Sequence, residues 1–304
     1  MAPSLTDLAR TGARTARAFG SRIPGAGTVL ARSLGDAVGG RNVMITGASS
    51  GIGKATALNL GLAGGNVLLV ARTEEKLRQV AKEIERKGGH AFVHPCDLTD
   101  PDDIDRMAAA ALERHGHVDI LVNNAGRSIR RSVRQAYKRF HDYQRTMQVN
   151  YFGPVKLLLD LLPVMREQRS GHIINVSTIG LQTNVPRYSA YLASKAALDA
   201  FSRSVAAEVI EDGVHFTTVY MPLVRTPMIA PTKIYDRFPT LSPEEAANLI
   251  AEAIRKRPKR IATPVGNLSQ LSYALVPGAQ DLVVSRAYKL FPEGGGDRKQ
   301  TAEQ

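Results

Sequence analysis

Tryptophan is absent from this 304-residue chain, and cysteine occurs once, as Cys96. One thiol excludes an intrachain disulfide and suits a reducing, cytoplasmic setting. Cys96 sits in no reactive-thiol motif, so it reads as a packing residue. Long hydrophobic runs are missing too. The richest, Val155 to Met165, is broken by Lys156, Asp160 and Pro163. It falls short of the roughly 20 apolar residues that a bilayer span needs, so the chain is not expected to cross a membrane. Acidic residues are scarce, 28 Asp and Glu against 40 Lys and Arg, for a net charge of +12. Such an excess suits an anionic partner. No nucleic-acid-binding signature accompanies it, so polyphosphorylated small molecules such as NADPH and coenzyme A are the expected partners rather than nucleic acid. No metal is expected.

What is present suffices for a globular core, with 43% hydrophobic residues. Residues 1–40 differ: Arg10, Arg14, Arg17, Arg22 and Arg32 stand against only Asp7 and Asp36. Such a basic N-terminal arm has the composition of a transit peptide, a surface-lying helix or a plain extension. From Arg41 strands and helices alternate. Strands are expected at Asn42–Thr46, Asn66–Ala71, Ala91–Val93, Ile120–Val122, His172–Val176, Phe216–Tyr220 and, briefly, Arg260–Ala262. Leu77, Val80, Ala81 and Ile84 mark one helical face, and Asp100-Pro101 starts another helix. Alternation of this kind implies an α/β fold, a doubly wound parallel sheet of the Rossmann type flanked by helices. It occupies residues 41–265. Residues 266–304 form a C-terminal extension, amphipathic helix over Leu268–Leu290 and then a polar tail from Pro292.

Between the first strand and its helix lies Thr46-Gly47-Ala48-Ser49-Ser50-Gly51-Ile52-Gly53. Gly47 permits a tight turn, while Gly51 and Gly53 admit close approach of a phosphate to the backbone. The helix N-terminus then offers free N–H groups to a pyrophosphate, the cradle of a dinucleotide. The end of the second strand selects the dinucleotide. An acid there holds NAD ribose hydroxyls, but this chain has Ala71-Arg72, whose guanidinium fork suits a 2′-phosphate. NADP(H) is therefore expected. Lys54 either assists or is a solvated helix charge.

Tyr191 and Lys195 stand four apart, as neighbours on one helix face. A lysine ammonium beside a tyrosine stabilises the phenolate and lowers its pKa, making the tyrosine usable in acid–base catalysis. Taken together, Thr46 to Gly53, Asn123-Asn124-Ala125-Gly126 and Tyr191-Leu192-Ala193-Ser194-Lys195 resemble the short-chain dehydrogenases/reductases, over about residues 41–265. The resemblance implies further roles. Tyr191 is the catalytic acid, and Lys195 also holds the nicotinamide ribose. A hydroxyl from the end of the fifth strand polarises the substrate carbonyl. Counting from Asn175 or Tyr191 places it on Thr178; counting from Gly180 places it on Ser177. Asn150 matches the asparagine of the proton relay. Asp97 and Leu98 match the adenine contact, and Asn124, Ala125 and Gly126 line the cofactor. Pro222, Val224 and Thr226 match the nicotinamide loop, where Leu223 replaces the usual glycine. A homo-oligomer, dimer or tetramer, is also implied.

Three strings narrow the substrate: Asn123 to Val133, Phe140 to Gly153, and Tyr220 to Tyr235, continued by Pro239 to Ala247. They look like those of bacterial fatty acyl-CoA reductases, which form fatty aldehydes and release coenzyme A. Arg127, Arg130, Arg131, Arg134, Lys138 and Arg139 form a basic run suited to the phosphates of coenzyme A. A second cluster, Arg255 to Arg260, reads better as a solvated face. Met228, Ile229, Ile234, Tyr235 and Phe238 are apolar enough to line an acyl channel, or equally to serve as ordinary lid packing. The alternatives are a ketone or 3-oxoacyl reductase, an alcohol dehydrogenase, and a non-catalytic NADP-binding regulator or nucleic-acid binder. For an enzyme of lipids, peripheral membrane contact through the arm and the C-terminal region is a further expectation.

Overall fold

The computed structural model describes residues 33–230, 232, 235 and 238–290. The five arginines of the N-terminal arm, Ile234 and the tail from Pro292 lie outside the described residues. In chain order the elements are α1 (Leu34–Val38), β1 (Asn42–Thr46), α2 (Gly51–Leu62), β2 (Asn66–Ala71), α3 (Glu74–Glu85), β3 (His90–Pro95), α4 (Pro101–His115) and β4 (Ile120–Asn123). There follow α5 (Val133–Ala136), α6 (Phe140–Met147), a π-helical turn (Gln148–Phe152), α7 (Gly153–Glu167), β5 (Gly171–Thr178), α8 (Gly180–Thr183), α9 (Ser189–Glu208) and β6 (Val214–Met221). The chain continues through α10 (Pro243–Lys256), β7 (Arg260–Ile261), α11 (Pro264–Leu275) and α12 (Pro277–Leu290).

The seven strands form one parallel sheet in the order β3-β2-β1-β4-β5-β6-β7. The interior strands β1, β2 and β4 are mostly apolar on both faces, as a sheet covered by helices on both sides demands, whereas β5 and β6 also bury His172, Asn175, Thr217 and Thr218. Val43, Ile45, Val67 and Leu69 pack into one core with α2, α3 and α10. Met44, Leu68, Val70 and Leu121 pack into the other with α4 and α7. Strand order reverses between β1 and β4. The crevice beyond their carboxyl ends is where ligands bind in open sheets of this kind.

Four features differ from the sequence reading. β3, β5 and β6 run longer than the apolar patterns suggest, and β3 accommodates Pro95 because it is an edge strand. The end of the arm is folded: Ser33 and Asp36 form a reciprocal capping box, and Ala37 and Val38 are buried. Pro163, which interrupts the richest apolar run of the sequence, lies inside a continuous α7. Finally, the C-terminal helices turn apolar side chains outward, including Leu268, Leu271 and Leu275. Among the described residues, no helix is long and apolar enough to cross a membrane.

Candidate active site

A single cavity of about 1560 Å³ opens at the carboxyl ends of β1 and β4. Its floor is the β1–α2 loop. Gly47 has φ +67°, a conformation that favours glycine, and its carbonyl would lie 2.2 Å from a Cβ on Gly53. Gly53 therefore serves packing within the protein, not approach of a phosphate as its spacing suggests. Gly51, with φ +53°, opens α2 against the Thr226 methyl. Ser49, Ser50, Gly51 and Ile52 line the cavity.

Thr46 braces this loop, a role the motif alone does not reveal. Its hydroxyl accepts from the Asn124 and Ala125 amides, both at 3.0 Å, and the Asn124 side chain donates to the Thr46 carbonyl at 2.9 Å. Asn124 thus ties β4 to the glycine loop through its side chain.

Beyond β2, Arg72 and Lys76 line the same cavity. Lys54 does not: it is paired with Glu83 at 2.9 Å. Lys76, four residues past Arg72, lines the cavity where Lys54 does not. Asp97 and Leu98 also line the wall, and Asp97 fixes its own turn by accepting from the Thr99 amide and hydroxyl. Cys96 is buried, and burial pushes its thiol up to about 12, the behaviour of a packing residue.

α9 carries Tyr191 and Lys195 into the cavity, and β5 ends there with Ser177 and Thr178. The Thr178 hydroxyl hydrogen-bonds the Tyr191 phenol. Ser177 lines the cavity, but its buried Oγ has no partner among the described residues. Lys195 donates to the Val176 carbonyl at 2.8 Å. A Cβ on Gly126 would lie 3.2 Å from Asn150 Oδ1 and 3.6 Å from Lys195 Nζ, so these groups converge. Asn150 lies in the π-helical turn. It accepts from the Arg127 amide at 2.8 Å and donates to the Arg127 carbonyl and the Ser194 hydroxyl, both at 2.9 Å.

The electrostatics of the pair correct the sequence reading. Its lysine does not pull the tyrosine down. The Tyr191 ring is partly open to the cavity, but desolvation of its hydroxyl pushes the phenol up to about 12, against the opposing Thr178 hydrogen bond. Burial lowers Lys195 to about 8. A phenol at that value stays protonated near neutral pH, which suits a proton donor.

Over the cavity lies a loop whose base is pinned by the Val224–Leu241 bridge and by reciprocal amide bonds to Leu223 and Arg225. Pro222, Leu223, Val224, Thr226, Met228, Ile229, Tyr235 and Phe238 all line the cavity. The basic run divides. Arg131 and Arg139 both grip the buried carboxylate of Asp142, at 3.1 and 2.9 Å. Burial raises that carboxyl, but the two arginines and His141 outweigh it and hold Asp142 below its ordinary range. Those two arginines are structural. Arg127, His141 and Arg145 line the cavity instead. Of the second cluster, Lys256 pairs with Glu252 and Arg260 stacks on Tyr220, away from the cavity.

Residues 41–234 match the short chain dehydrogenase family. The chain belongs to this family. It is an oxidoreductase of the short-chain type, and its site lies where the sheet topology puts it. A fatty acyl-CoA reductase of Acinetobacter baylyi is 56% identical over 255 residues, 84% of this chain and 86% of that protein. A fatty acyl-CoA reductase of Mycobacterium tuberculosis is 49% identical over 74% of this chain and 77% of its own length. Among solved structures, a metagenomic short-chain oxidoreductase in complex with NADP aligns with a TM-score of 0.65 at 32% identity, over 75% of this chain and 98% of that one.

Proposed function

We propose that this short-chain reductase uses NADPH to convert long-chain fatty acyl-CoA to fatty aldehyde and free coenzyme A. The observation that carries the reading is the cavity itself. One space joins a dinucleotide cradle, a Tyr191–Thr178 donor pair, a cationic wall and an apolar lid. Two relatives named as fatty acyl-CoA reductases support it.

The residues fit the cofactor. Backbone amides at the start of α2 would face the pyrophosphate, and Arg72 with Lys76 would take the 2′-phosphate. Asp97 and Leu98 would flank the adenine, Lys195 would hold the ribose, and Pro222, Val224 and Thr226 would flank the nicotinamide. Bound NADPH supplies the hydride. The protein's own task is to stabilise charge on the thioester oxygen. Thr178 and Tyr191 donate hydrogen bonds to that oxygen, and Tyr191 passes its proton to it. The resulting hemithioacetal breaks its C–S bond, giving aldehyde and thiol. Asn150 holds Arg127 and the Lys195 end of the site in register. Arg127 and Arg145 face the phosphates of coenzyme A, and Met228, Ile229, Tyr235 and Phe238 face the acyl chain.

The test is purified protein with NADPH and palmitoyl-CoA, reading aldehyde and free thiol together. Both should appear in equal amount. NADPH oxidation without thiol release would mean that the C–S bond is not broken, and either that result or no turnover would defeat the proposal. Tyr191→Phe should abolish turnover while NADPH binding, followed by fluorescence, is retained.

A further inference from the structure

The amphipathic character of α11 is inverted for a helix on a watery surface. Its polar side chains serve the protein. Asn267 and Gln270 accept hydrogen bonds from Gln182 of α8 and from Arg260. Ser269 and Ser272 bond Gln280 of α12. Its leucines face away. Leu268, Leu271 and Leu275 recur at helical spacing and are 67%, 56% and 71% exposed. On α12, Leu282 and Val283 extend the patch. A lone exposed leucine is unremarkable in a folded protein, but a contiguous apolar face marks a covered surface.

Charge and position indicate the cover. No charged residue occurs between Arg260 and Asp281, so the α11 face is neutral throughout. The charges on α12 are mainly cationic, Arg286 and Lys289 against Asp281, while Arg260 is held on the inward side of α11. The patch also adjoins the cavity rim. Arg187 lies over the Tyr288 ring of α12, 4.2 Å from its centroid, and donates to the Tyr288 carbonyl at 3.2 Å. Arg187 stands between Val185 and Tyr188, which line the cavity. Apolar side chains on helices that also carry Arg286, Lys289 and the exposed Tyr273 and Tyr288 match the boundary between acyl chains and anionic headgroups.

We propose that the outward face of α11 and α12 seats the protein on an anionic bilayer, with the cavity rim turned to the membrane. The seating stands on the helices alone. That a fatty acyl chain then passes between bilayer and cavity rests on the function proposed above.

Full-length protein is sedimented with vesicles of phosphatidylcholine, with and without phosphatidylglycerol, at low and high salt. Binding is expected to the anionic vesicles only and to weaken with salt. The triple variant L268S/L271S/L275S should lose at least tenfold in vesicle affinity. Its melting temperature and NADPH binding should match the unaltered protein, showing that it folds. No binding of the unaltered protein, or equal binding by the variant, overturns the proposal. So does a variant that turns a dimer into a monomer in light scattering while no vesicles are bound, which would make the face a contact between copies. None of these readouts needs turnover, so failure here is distinct from failure of the acyl-CoA assay.

Discussion

At the scale of single residues, Thr178 and Ser177 are neighbours with opposite surroundings. Thr178 hydrogen-bonds Tyr191, whereas the Ser177 hydroxyl is buried without a partner among the described residues. Thr178→Ala should lower kcat by roughly 10²- to 10³-fold, the usual cost of removing a preorganised donor. Ser177→Ala should change kcat by less than about threefold and leave stability equal or slightly raised, since an orphan hydroxyl is removed. Steady-state rates and thermal melts of the two variants decide this. Arg72→Ser should raise KM for NADPH by about tenfold or more, the loss of a charge-assisted contact, and leave KM for NADH nearly unchanged. Motif spacing alone left Ser177 and Thr178 open, because β5 ends on two adjacent hydroxyls that both line the cavity. It also missed Lys76 and Thr46. Lys76 is an ordinary charge in a helical first turn until the cavity shows it beside Arg72. Thr46 reads as strand until β4 brings Asn124 and Ala125 to its hydroxyl.

At the scale of elements, the Asp142 clasp ties the start of α6 to the loop after β4. Asp142→Ala strands Arg131 and Arg139 without their carboxylate. Arg139 is partly exposed, so solvent screens part of the loss, and a stability decrease of about 1–3 kcal/mol is expected. The same variant should raise KM for the acyl-CoA more than it lowers kcat, because the clasp shapes the cationic wall and not the Tyr191 pair. Denaturant unfolding and initial rates check both parts. Strands were the most legible elements in the sequence. β1 and β2 end where their apolar runs end, since a strand buried on both faces must be apolar throughout. The division of the basic run was illegible, because Asp142 lies outside it and pairs only after α6 folds back. The sense of the C-terminal helices was illegible for a related reason. Periodicity reveals that one face is apolar, not which face meets the protein.

At the scale of the whole molecule, buried histidines set the response to acid. Burial lowers His172 to about 3 and His94 to about 4, below the 6.5 of an exposed imidazole. The unfolded chain therefore binds protons that the folded protein refuses. Stability should fall as pH drops from about 6.5 toward 4 and 3, and His94→Gln should flatten that slope. Urea midpoints measured from pH 7 to pH 4 would show it. The net charge of +12 adds repulsion in the same direction. The Val224–Leu241 bridge has a broader consequence. The bridge brings the two ends of the lid together outside the seven-stranded sheet, so the part of the segment beyond Thr226 and Pro227 is joined to the rest of the protein through one closed base. If the proposed acyl-CoA reduction holds, a graft of this segment from a relative should carry that relative's chain-length preference with it.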